Sequence, residues 1–315
     1  MKIVVGPGPA APLVPQWREE FPEVEFVSVT TPEEQLRAAP GADAYIGWIT
    51  REAFVAAGPQ LRWVHAPSAG VERHVSIPEL VESDVTLTNT RGSHAPTIAE
   101  HTFAMLLALT RRILELAEYQ KEHAWKRPTN PRGIMGLTMT VVGFGQIGRA
   151  IGKRALGFEM NVIGVDARPS APPPGVDEVW GLDRLDEALR QADVVAIAAP
   201  ITPETRGMID ARRIGLLKPD AYLLVVSRGG IVDEAALIAA LKEGRLAGAG
   251  LDVMATEPLP PDDPLWDAPN IILTPHCSGA SEQTTGAVAS ITTANLHNFV
   301  TGAELSNICD KRAGF

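Results

Sequence analysis

A histidine, an arginine and a glutamate each follow an apolar run that is typical of a buried strand. His276 ends "NIILTPH", Arg228 ends "AYLLVVSR", and Glu257 lies five residues beyond Asp252, which closes "AGAGLDV". The carboxyl ends of parallel strands meet at one edge of an open α/β sheet, so these side chains are expected to converge there. Histidine is the side chain that changes charge nearest neutrality, which makes His276 a candidate proton donor and acceptor.

These residue types suit the reduction of a 2-oxo acid. A hydride that reaches a carbonyl carbon leaves negative charge on the oxygen, and His276 would neutralise that charge with a proton. Glu257 beside it would favour the imidazolium form and fix the ring. The planar fork of Arg228 would bind the substrate carboxylate and polarise the carbonyl. Taken singly, each could be a packed histidine, a salt-bridge arginine or a solvated glutamate; their joint placement favours catalysis.

A glycine-rich turn predicts a dinucleotide site. "TVVGFGQIGRA" follows a strand pattern and opens a helical one, and the next strand ends at Asp166, 18 residues after Gly148. Glycines allow a tight turn and close approach of the backbone to a pyrophosphate, and the helix N-terminus offers unpaired N–H groups to that anion. Asp166 would accept hydrogen bonds from ribose hydroxyls. The loop residues of this site are Gly143, Phe144, Gly145, Gln146, Ile147 and Gly148.

The choice between NAD and NADP depends on two residues. A carboxylate at Asp166 would repel the 2′-phosphate of NADP, because like charges at about 4 Å cost about 1 kcal/mol even in water. Arg168, just past the strand, could instead pair with that phosphate. NAD is therefore the expected cofactor, and an NADP-preferring reductase remains an alternative.

The elements that position these residues form two alternating series. Strand patterns at 2–6, 24–29, 43–48, 62–66 and 85–89 alternate with short helices, and a second series runs through 138–143, 161–166, 193–200, 221–229, 247–253 and 270–276. Such alternation is typical of parallel βαβ units, and a chain of 315 residues suggests two domains. The fold class predicted is α/β, with two Rossmann-like doubly wound parallel sheets.

Between the two series lies the longest helical pattern of the chain, residues 94–125. Thr97 and Glu100 have the spacing of a capping box. Positions 103–109 are apolar, so burial on every face is expected, supplied by the second domain, by a partner subunit or by both. The tail from residue 281 predicts one further helix.

Composition excludes several classes of function. The net charge of −10 argues against binding to nucleic acid or to an anionic membrane surface. Two cysteines, Cys277 and Cys309, make neither a disulfide framework nor a zinc cluster, so no metal is expected and a reducing cytoplasm fits. Neither a signal peptide nor a membrane span is recognisable, and a cytoplasmic location is expected.

The sequence resembles the D-isomer-specific 2-hydroxyacid dehydrogenase family. The likeness is carried by "VVGFGQIGRAIGKRALGFEMNVIGVD", "AAPITPETRGMI", "SRGGIVDEAALIAALKEGRLAGAGLDVMATEPLPPDDPLW" and "TPHCSG", in family order and dense from about 84 to 285. The resemblance implies that Arg228, Glu257 and His276 are the catalytic residues and that the backbone amides of Ser68, Ala69 and Gly70 hold the substrate carboxylate, with Trp48 in the pocket. The further cofactor contacts that it implies are Ala199, Pro200, Thr205, Val226, Ser227, Asp252, Ser278 and Gly279.

The same resemblance implies an organisation and a substrate class. The discontinuous substrate domain, flavodoxin-like, would comprise 1–93 plus 282–315, and the dinucleotide-binding domain 94–281, with a homodimer built on the helix after residue 96. "IGWITREAF" stands where phosphoglycerate-specific members carry a basic Arg-Ser-x-Thr segment, so a small uncharged substrate such as glyoxylate or hydroxypyruvate is expected. Glu257 argues against the formate dehydrogenase branch, which has Gln there. A nucleotide-sensing protein like the C-terminal binding protein corepressors is the alternative from another class.

Overall fold

The computed structural model describes residues 1–314 and divides into two compact units. Unit 1 comprises Met1–His94 and the segment from Ala280 onward, and unit 2 is Ala95–Gly279. Each unit is built on one parallel sheet flanked by helices, so the predicted α/β class is confirmed. Among the helices of residues 1–314, none has the length and apolar character needed to cross a membrane.

Unit 1 contains a five-stranded parallel sheet in the order β2-β1-β3-β4-β5. All five strands fall inside the segments predicted from the sequence. They are β1 Lys2–Val5, β2 Glu25–Ser28, β3 Ala44–Ile46, β4 Trp63–His65 and β5 Thr86–Thr88. The helices of this unit are α1 Val14–Glu20, α2 Pro32–Ala38, α3 Arg51–Ala57, α4 Glu72–Val75, α5 Pro78–Glu82 and α12 Glu282–Thr301.

A polar network inside unit 1 joins the C-terminal helix to the sheet. His65 is fully buried at the end of β4; its Nδ1 lies 2.8 Å from Thr88 Oγ1 on β5 and its Nε2 lies 3.0 Å from Thr292 Oγ1 on α12. Burial, with a smaller contribution from the charge of His74, lowers the pKa of His65 to about 3. His65 is therefore neutral in the folded chain at ordinary pH.

Unit 2 contains a seven-stranded parallel sheet in the order β12-β11-β10-β9-β6-β7-β8. Its strands are β6 Thr138–Val142, β7 Asn161–Val165, β8 Glu178–Trp180, β9 Val194–Ile197, β10 Tyr222–Val225, β11 Gly248–Leu251 and β12 Ile271–Leu273. Its helices are α6 Ala95–Thr110, α7 Ile113–Lys121, α8 Gln146–Gly157, α9 Leu185–Gln191, α10 Ala211–Ile214 and α11 Glu234–Lys242. Short 3₁₀ turns occupy Ala11–Leu13 and Gly58–Gln60 in unit 1 and Leu182–Arg184 in unit 2.

The strand order of unit 2 reverses beside β6. The chain proceeds from β6 to β7 and β8 on one side, then returns to place β9 on the other. Loops that leave β6 and β9 diverge at such a switch point, and the crevice between them is where ligands bind in open α/β sheets. Gly143 leaves β6 and Ala199 lies just beyond β9, so the glycine loop stands at this crevice.

The long helix differs from its prediction in three ways. The pattern 94–125 is two helices, because Arg112 adopts a left-handed φ of 59° between α6 and α7, and α12 is longer than either. The predicted capping box is wrong, because α6 begins at Ala95, two residues before Thr97. Pro96 is tolerated in the first helical turn, where the backbone N–H groups have no partner within the helix. Within one chain Ala104 is exposed, so burial on every face of α6 stays a prediction that requires a partner subunit.

One strand of unit 2 was missed. β8 is only three residues long, pairs with β7 at the sheet edge and follows a proline-rich segment that gave no strand signal.

Candidate active site

The glycine loop is shaped by three different steric demands. Gly143 has a φ of 88°, and a Cβ added there would lie closer than 3.0 Å to the backbone nitrogen of Ala199. A Cβ at Gly148 would lie equally close to the carbonyl oxygen of Gly143. Gly145, the residue before α8, has an ordinary φ of −76° and would meet nothing within 4 Å. Gly143 and Gly148 are thus required by the fold itself, whereas Gly145 leaves open space at the helix N-terminus.

Phe144 belongs to the core rather than to an open loop. Its side chain is 2% exposed and packs against the position of Gly164 on β7. Only its backbone is placed for contact with a ligand. Gln146 and Ile147, which follow, form the first turn of α8.

Asp166 anchors the loop in addition to facing the predicted ribose site. Its Oδ2 accepts a hydrogen bond from the Phe144 N–H at 2.7 Å, and its Oδ1 accepts from the Arg168 N–H at 2.9 Å. Each carboxylate oxygen can accept a second hydrogen bond, so the group keeps capacity for ribose hydroxyls. Nearby, Arg149 Nη2 donates to Ser170 Oγ at 2.6 Å, which places a second guanidinium on this side of the loop.

The segment after β9 forms a closed turn. Thr205 Oγ1 donates to the Pro200 carbonyl at 2.7 Å and accepts from the Thr202 N–H at 2.7 Å. Thr205 is therefore buried and closes the turn through its hydrogen bonds. Ala199 packs against Gly143, whereas Pro200 is exposed.

Arg228 emerges where β10 ends. Val226 and Ser227 before it are buried, and the Ser227 hydroxyl has no hydrogen-bond partner among the described residues. Arg228 is half-buried, and its Nη1 donates to the Ser227 carbonyl at 2.7 Å. A Cβ on Gly229 would overlap the backbone of Met254, so this loop lies directly against the segment that leads to Glu257.

His276 and Glu257 form the pair that the sequence predicted. The Nδ1 of His276 lies 2.7 Å from Oε2 of Glu257, and the Met254 N–H donates to Oε1 of Glu257 at 3.0 Å. The ring therefore donates Nδ1–H to the carboxylate, and its other nitrogen, Nε2, carries the exchangeable proton. His276 is exposed and has a left-handed φ of 51°, which is uncommon for a residue with a Cβ.

Asp252 holds the turn that carries His276. Its fully buried carboxylate accepts from the Thr274 hydroxyl at 2.6 Å and from the N–H groups of Cys277 and Ser278, each at 2.9 Å. Its carbonyl oxygen accepts from the His276 N–H at 2.8 Å. Burial alone would raise the pKa of Asp252, but hydrogen bonds from the side chains of Ser278 and Thr274, and then from the backbone of Ser278 and Cys277, lower it below its ordinary value. The carboxylate is thus ionised and engaged in the turn; Gly279 follows directly.

In unit 1, hydrogen bonds to all three carbonyl oxygens hold the loop of residues 68–70. The Ser68 carbonyl accepts from the Thr90 N–H at 3.0 Å, the Ala69 carbonyl from Asn89 Nδ2 at 2.7 Å, and the Gly70 carbonyl from Ser68 Oγ at 2.6 Å. The carbonyl and N–H of one peptide lie in the same plane, so these hydrogen bonds also fix the directions of the N–H groups of residues 69–71.

Trp48 follows the neighbouring strand of unit 1. It is half-buried, its ring centroid lies 5.2 Å from that of His74, and the Arg73 guanidinium lies 5.3 Å over it. His74 in turn donates Nε2–H to the Gly47 carbonyl at 2.9 Å. Trp48 is therefore packed against both His74 and Arg73.

Sequence reasoning missed Asn89, Thr274 and His101. The first holds the 68–70 loop and the second holds the His276 turn; His101 on α6 places Nε2 2.9 Å from Thr274 Oγ1. No spacing rule connects them to the site, because each acts through a hydrogen bond to a residue distant in the sequence.

Comparison with known proteins identifies the class. Residues 103–278 match the family model for the NAD-binding domain of D-isomer specific 2-hydroxyacid dehydrogenases. The glyoxylate reductase of Korarchaeum cryptofilum is 34% identical over 306 residues, covering 94% of this chain and 89% of that protein. This chain therefore belongs to the D-isomer-specific 2-hydroxyacid dehydrogenase family. It is an NAD-binding oxidoreductase that acts on 2-hydroxy or 2-oxo acids.

Solved structures agree with this assignment. A D-isomer specific 2-hydroxyacid dehydrogenase family protein from Aeromonas salmonicida superposes with a TM-score of 0.84 at 30% identity, over 98% of this chain and 99% of that one. The NADPH-dependent glyoxylate/hydroxypyruvate reductase of Sinorhizobium meliloti, in complex with NADP and sulfate, gives a TM-score of 0.85 at 26% identity with both chains fully covered.

The residues present fit a dinucleotide. The space over Gly145, the N-terminus of the 12-residue helix α8 and the unpartnered hydroxyl of Ser227 are each features that a bound cofactor would use.

Proposed function

We propose that this chain reduces small 2-oxo acids, glyoxylate and hydroxypyruvate first, with NADH as cofactor. The observation that carries the proposal is the 2.7 Å hydrogen bond between His276 and Glu257 at the carboxyl edge of the unit 2 sheet. The names of the Korarchaeum cryptofilum and Sinorhizobium meliloti relatives support a two- or three-carbon substrate. We assign the dinucleotide site to unit 2 and the substrate carboxylate to the 68–70 loop of unit 1.

When bound, the cofactor supplies or accepts the hydride. His276 handles the accompanying proton: in the reductive direction its imidazolium gives the Nε2 proton to the carbonyl oxygen, and in the oxidative direction the neutral ring takes that proton back. Glu257 accepts Nδ1–H, which fixes the orientation of the ring. The Met254 N–H in turn fixes Glu257 at 3.0 Å.

Two groups are proposed to bind the substrate. Arg228 presents a planar guanidinium from the end of β10, which suits a carboxylate or a polarised carbonyl. The backbone N–H groups of the loop of residues 68–70 suit a carboxylate, because backbone donors stabilise an anion without a mobile side chain. Trp48, packed against His74, is proposed to limit the size of the substrate side chain.

The test is a turnover assay with NADH and a panel of 2-oxo acids of increasing size. His276→Asn is expected to lower kcat by about 10²–10⁴-fold, the usual share of general acid–base catalysis. Asparagine is chosen because it tolerates the left-handed backbone. His123→Asn is the matched control, since His123 is also exposed and has a φ of 53°. Wild-type turnover by His276→Asn would remove His276 from the mechanism, and no turnover of any 2-oxo acid by the wild type would favour a nucleotide-sensing role.

NAD is the proposed cofactor because Asp166 is fixed by two backbone N–H groups and cannot swing away from a 2′-phosphate. The neighbouring Arg168 is exposed, and an exposed ion pair contributes only about 0–1 kcal/mol. One observation favours some use of NADP: the Arg149 guanidinium, hydrogen-bonded to Ser170, adds a second positive charge on this side of the glycine loop.

We also propose a homodimer built on the helix after residue 96, and a cytoplasmic location. Within one chain Ala104 of α6 is exposed, Leu114 of α7 is 54% exposed and Trp125 is fully exposed. A partner subunit that covered them would remove a large apolar surface from water. The two free cysteines are consistent with a reducing compartment.

A further inference from the structure

The turn that carries the proposed proton donor depends on a single buried carboxylate. His276 adopts a left-handed φ of 51°, and a residue with a Cβ remains there only where its surroundings hold it. Asp252 holds it from both sides, through the Thr274 hydroxyl before it and the N–H groups of Cys277 and Ser278 after it. The direction in which the His276 ring points is therefore set by how well Asp252 is engaged.

The protons in this network can be assigned one by one. Asp252 is ionised and can only accept, so the proton of the Thr274 hydroxyl lies on the 2.6 Å bond to Oδ1. A hydroxyl has one proton, and Thr274 has now used it. The 2.9 Å contact between Thr274 Oγ1 and His101 Nε2 must then be a hydrogen bond that His101 donates. His101 is consequently the Nε2–H tautomer when it is neutral.

This assignment also explains a cluster that resembles a metal site. Ligand atoms of His101, Asp252 and Cys277 lie within 4.8 Å of one another. The Nε2 atom carries a proton and has no lone pair for a metal, and the oxygens of Asp252 already accept three hydrogen bonds from the turn. The cluster is a hydrogen-bond relay from α6 to the turn after β12.

We infer that His101 is a positioning residue, which acts through Thr274 and Asp252 to hold the turn of His276 in its working conformation. This inference rests on the proposed role of His276 as proton donor. A threonine hydroxyl has three staggered rotamers of similar energy, and a donor at Nε2 selects the one that directs its proton to Asp252. Proton transfer requires the donor atom within hydrogen-bond reach of the substrate oxygen, so a small displacement of the turn lowers the chemical rate.

The experiment compares two pairs of variants. In each pair, one variant removes the hydrogen bond between His101 and Thr274 and the other keeps it. His101→Leu removes the donor and His101→Gln supplies an amide N–H near the same place; Thr274→Val removes the hydroxyl and Thr274→Ser keeps it. We expect Thr274→Val to lower kcat by about tenfold or more and His101→Leu by about three- to tenfold, with KM for the 2-oxo acid changed less than twofold. The Gln and Ser variants are expected within about twofold of wild-type kcat.

A double variant tests whether both residues act along one path. His101→Leu combined with Thr274→Val is expected to lower kcat no further than Thr274→Val alone. His101 Nε2 lies 3.8 Å from Asp252 Oδ1, beyond hydrogen-bond distance, so the proposed path from His101 to Asp252 runs through the Thr274 hydroxyl. Additive losses would overturn the relay, and so would equal kcat in His101→Leu and wild type.

A spectroscopic measurement of the His101 tautomer, which needs only His101→Gln for its assignment, keeps the inference testable if the other variants do not fold. ¹⁵N-labelled histidine spectra report which ring nitrogen carries the proton. We expect an Nε2–H signal for neutral His101, assigned by its disappearance in His101→Gln; an Nδ1–H signal would overturn the inference. If wild-type turnover is present and these variants behave as wild type, the relay fails while the proposed function stands; if the wild type turns over no 2-oxo acid, the proposed function itself fails.

Discussion

Single Gly→Ala substitutions in the glycine loop can distinguish glycines that are needed for folding from glycines that are needed for cofactor binding. Gly145→Ala adds a Cβ where the structure has nothing within 4 Å, at a φ of −76° that alanine adopts freely. Gly145 precedes the first residue of α8, where alanine is somewhat worse than glycine, so the free energy of unfolding is expected to fall by less than about 1 kcal/mol.

The same methyl group is expected to obstruct the cofactor. Gly145 lies at the N-terminus of α8, where the unpaired N–H groups would meet the pyrophosphate, and its lack of a side chain permits that approach. A hydrogen bond to a charged group contributes about 1.5–3 kcal/mol. Loss of one such bond corresponds to about a 10- to 100-fold rise in the Kd for NADH.

Two control variants frame this result. Gly157→Ala lies at the opposite end of the same helix and also meets nothing within 4 Å, so it should leave both Kd and stability close to wild type. Gly148→Ala places its Cβ against the carbonyl oxygen of Gly143 and should destabilise the fold itself. Kd is measured by titration calorimetry with NADH and stability by thermal unfolding of the same samples. If Gly145→Ala binds NADH within twofold of wild type, the pyrophosphate does not lie on this loop and the reasoning is wrong.

Three further predictions concern acid stability, cofactor choice and assembly. His65 has a pKa of about 3 in the folded chain and near 6.5 in the unfolded chain, so its contribution to stability is complete above about pH 6.5 and declines as the pH falls towards 3. Between pH 7 and pH 5, the free energy of unfolding, measured by chemical unfolding, should fall by about 2 kcal/mol less in His65→Gln than in the wild type, because glutamine does not titrate. Wild-type kcat/KM should be at least about tenfold higher with NADH than with NADPH, and Asp166→Ala should narrow that gap while raising KM for both, because the Phe144 N–H loses its acceptor; equal efficiency in the wild type would refute the role of Asp166. Trp125→Ser should weaken the proposed dimer by about 30- to 100-fold in light scattering, as expected for the loss of a buried aromatic side chain, whereas Trp266→Ser, also exposed at 53%, should not.

The sequence predicted elements well wherever one pattern was sufficient. Apolar runs bounded by Gly, Pro and Asp located all the strands of unit 1 and six of the seven of unit 2. The exception, β8, is three residues at a sheet edge, too short for a run of apolar residues to stand out. The break in the long helix was missed because the apolar period continues past it, whereas the helix ends through the backbone conformation of Arg112, at φ 59°.

The sequence predicted which residues pair at the candidate site, His276 with Glu257, but it did not predict the hydrogen bonds between side chains and the backbone. Strand-end placement was enough to bring His276 and Glu257 together, because parallel strands deliver their last residues to one edge. Strand-end placement could not show that Asp166 also accepts a hydrogen bond from the Phe144 N–H, or that the Thr205 hydroxyl donates to the Pro200 carbonyl within its own turn. Which lone pairs a polar side chain has already used depends on backbone groups far away in the sequence.

Asp252 shows why this distinction matters for mechanism. The family resemblance implies that Asp252 contacts the cofactor, and in the structure its carboxylate accepts hydrogen bonds from the turn of residues 274–278. Substitution by asparagine would replace one acceptor oxygen with a donor that faces an N–H or hydroxyl, and a buried donor facing another donor costs about 1–3 kcal/mol. The turn of His276 would relax before any cofactor contact was lost. A fall in kcat in such a variant therefore reports the position of the proton donor, and only a parallel rise in the Kd for NADH would report contact with the cofactor.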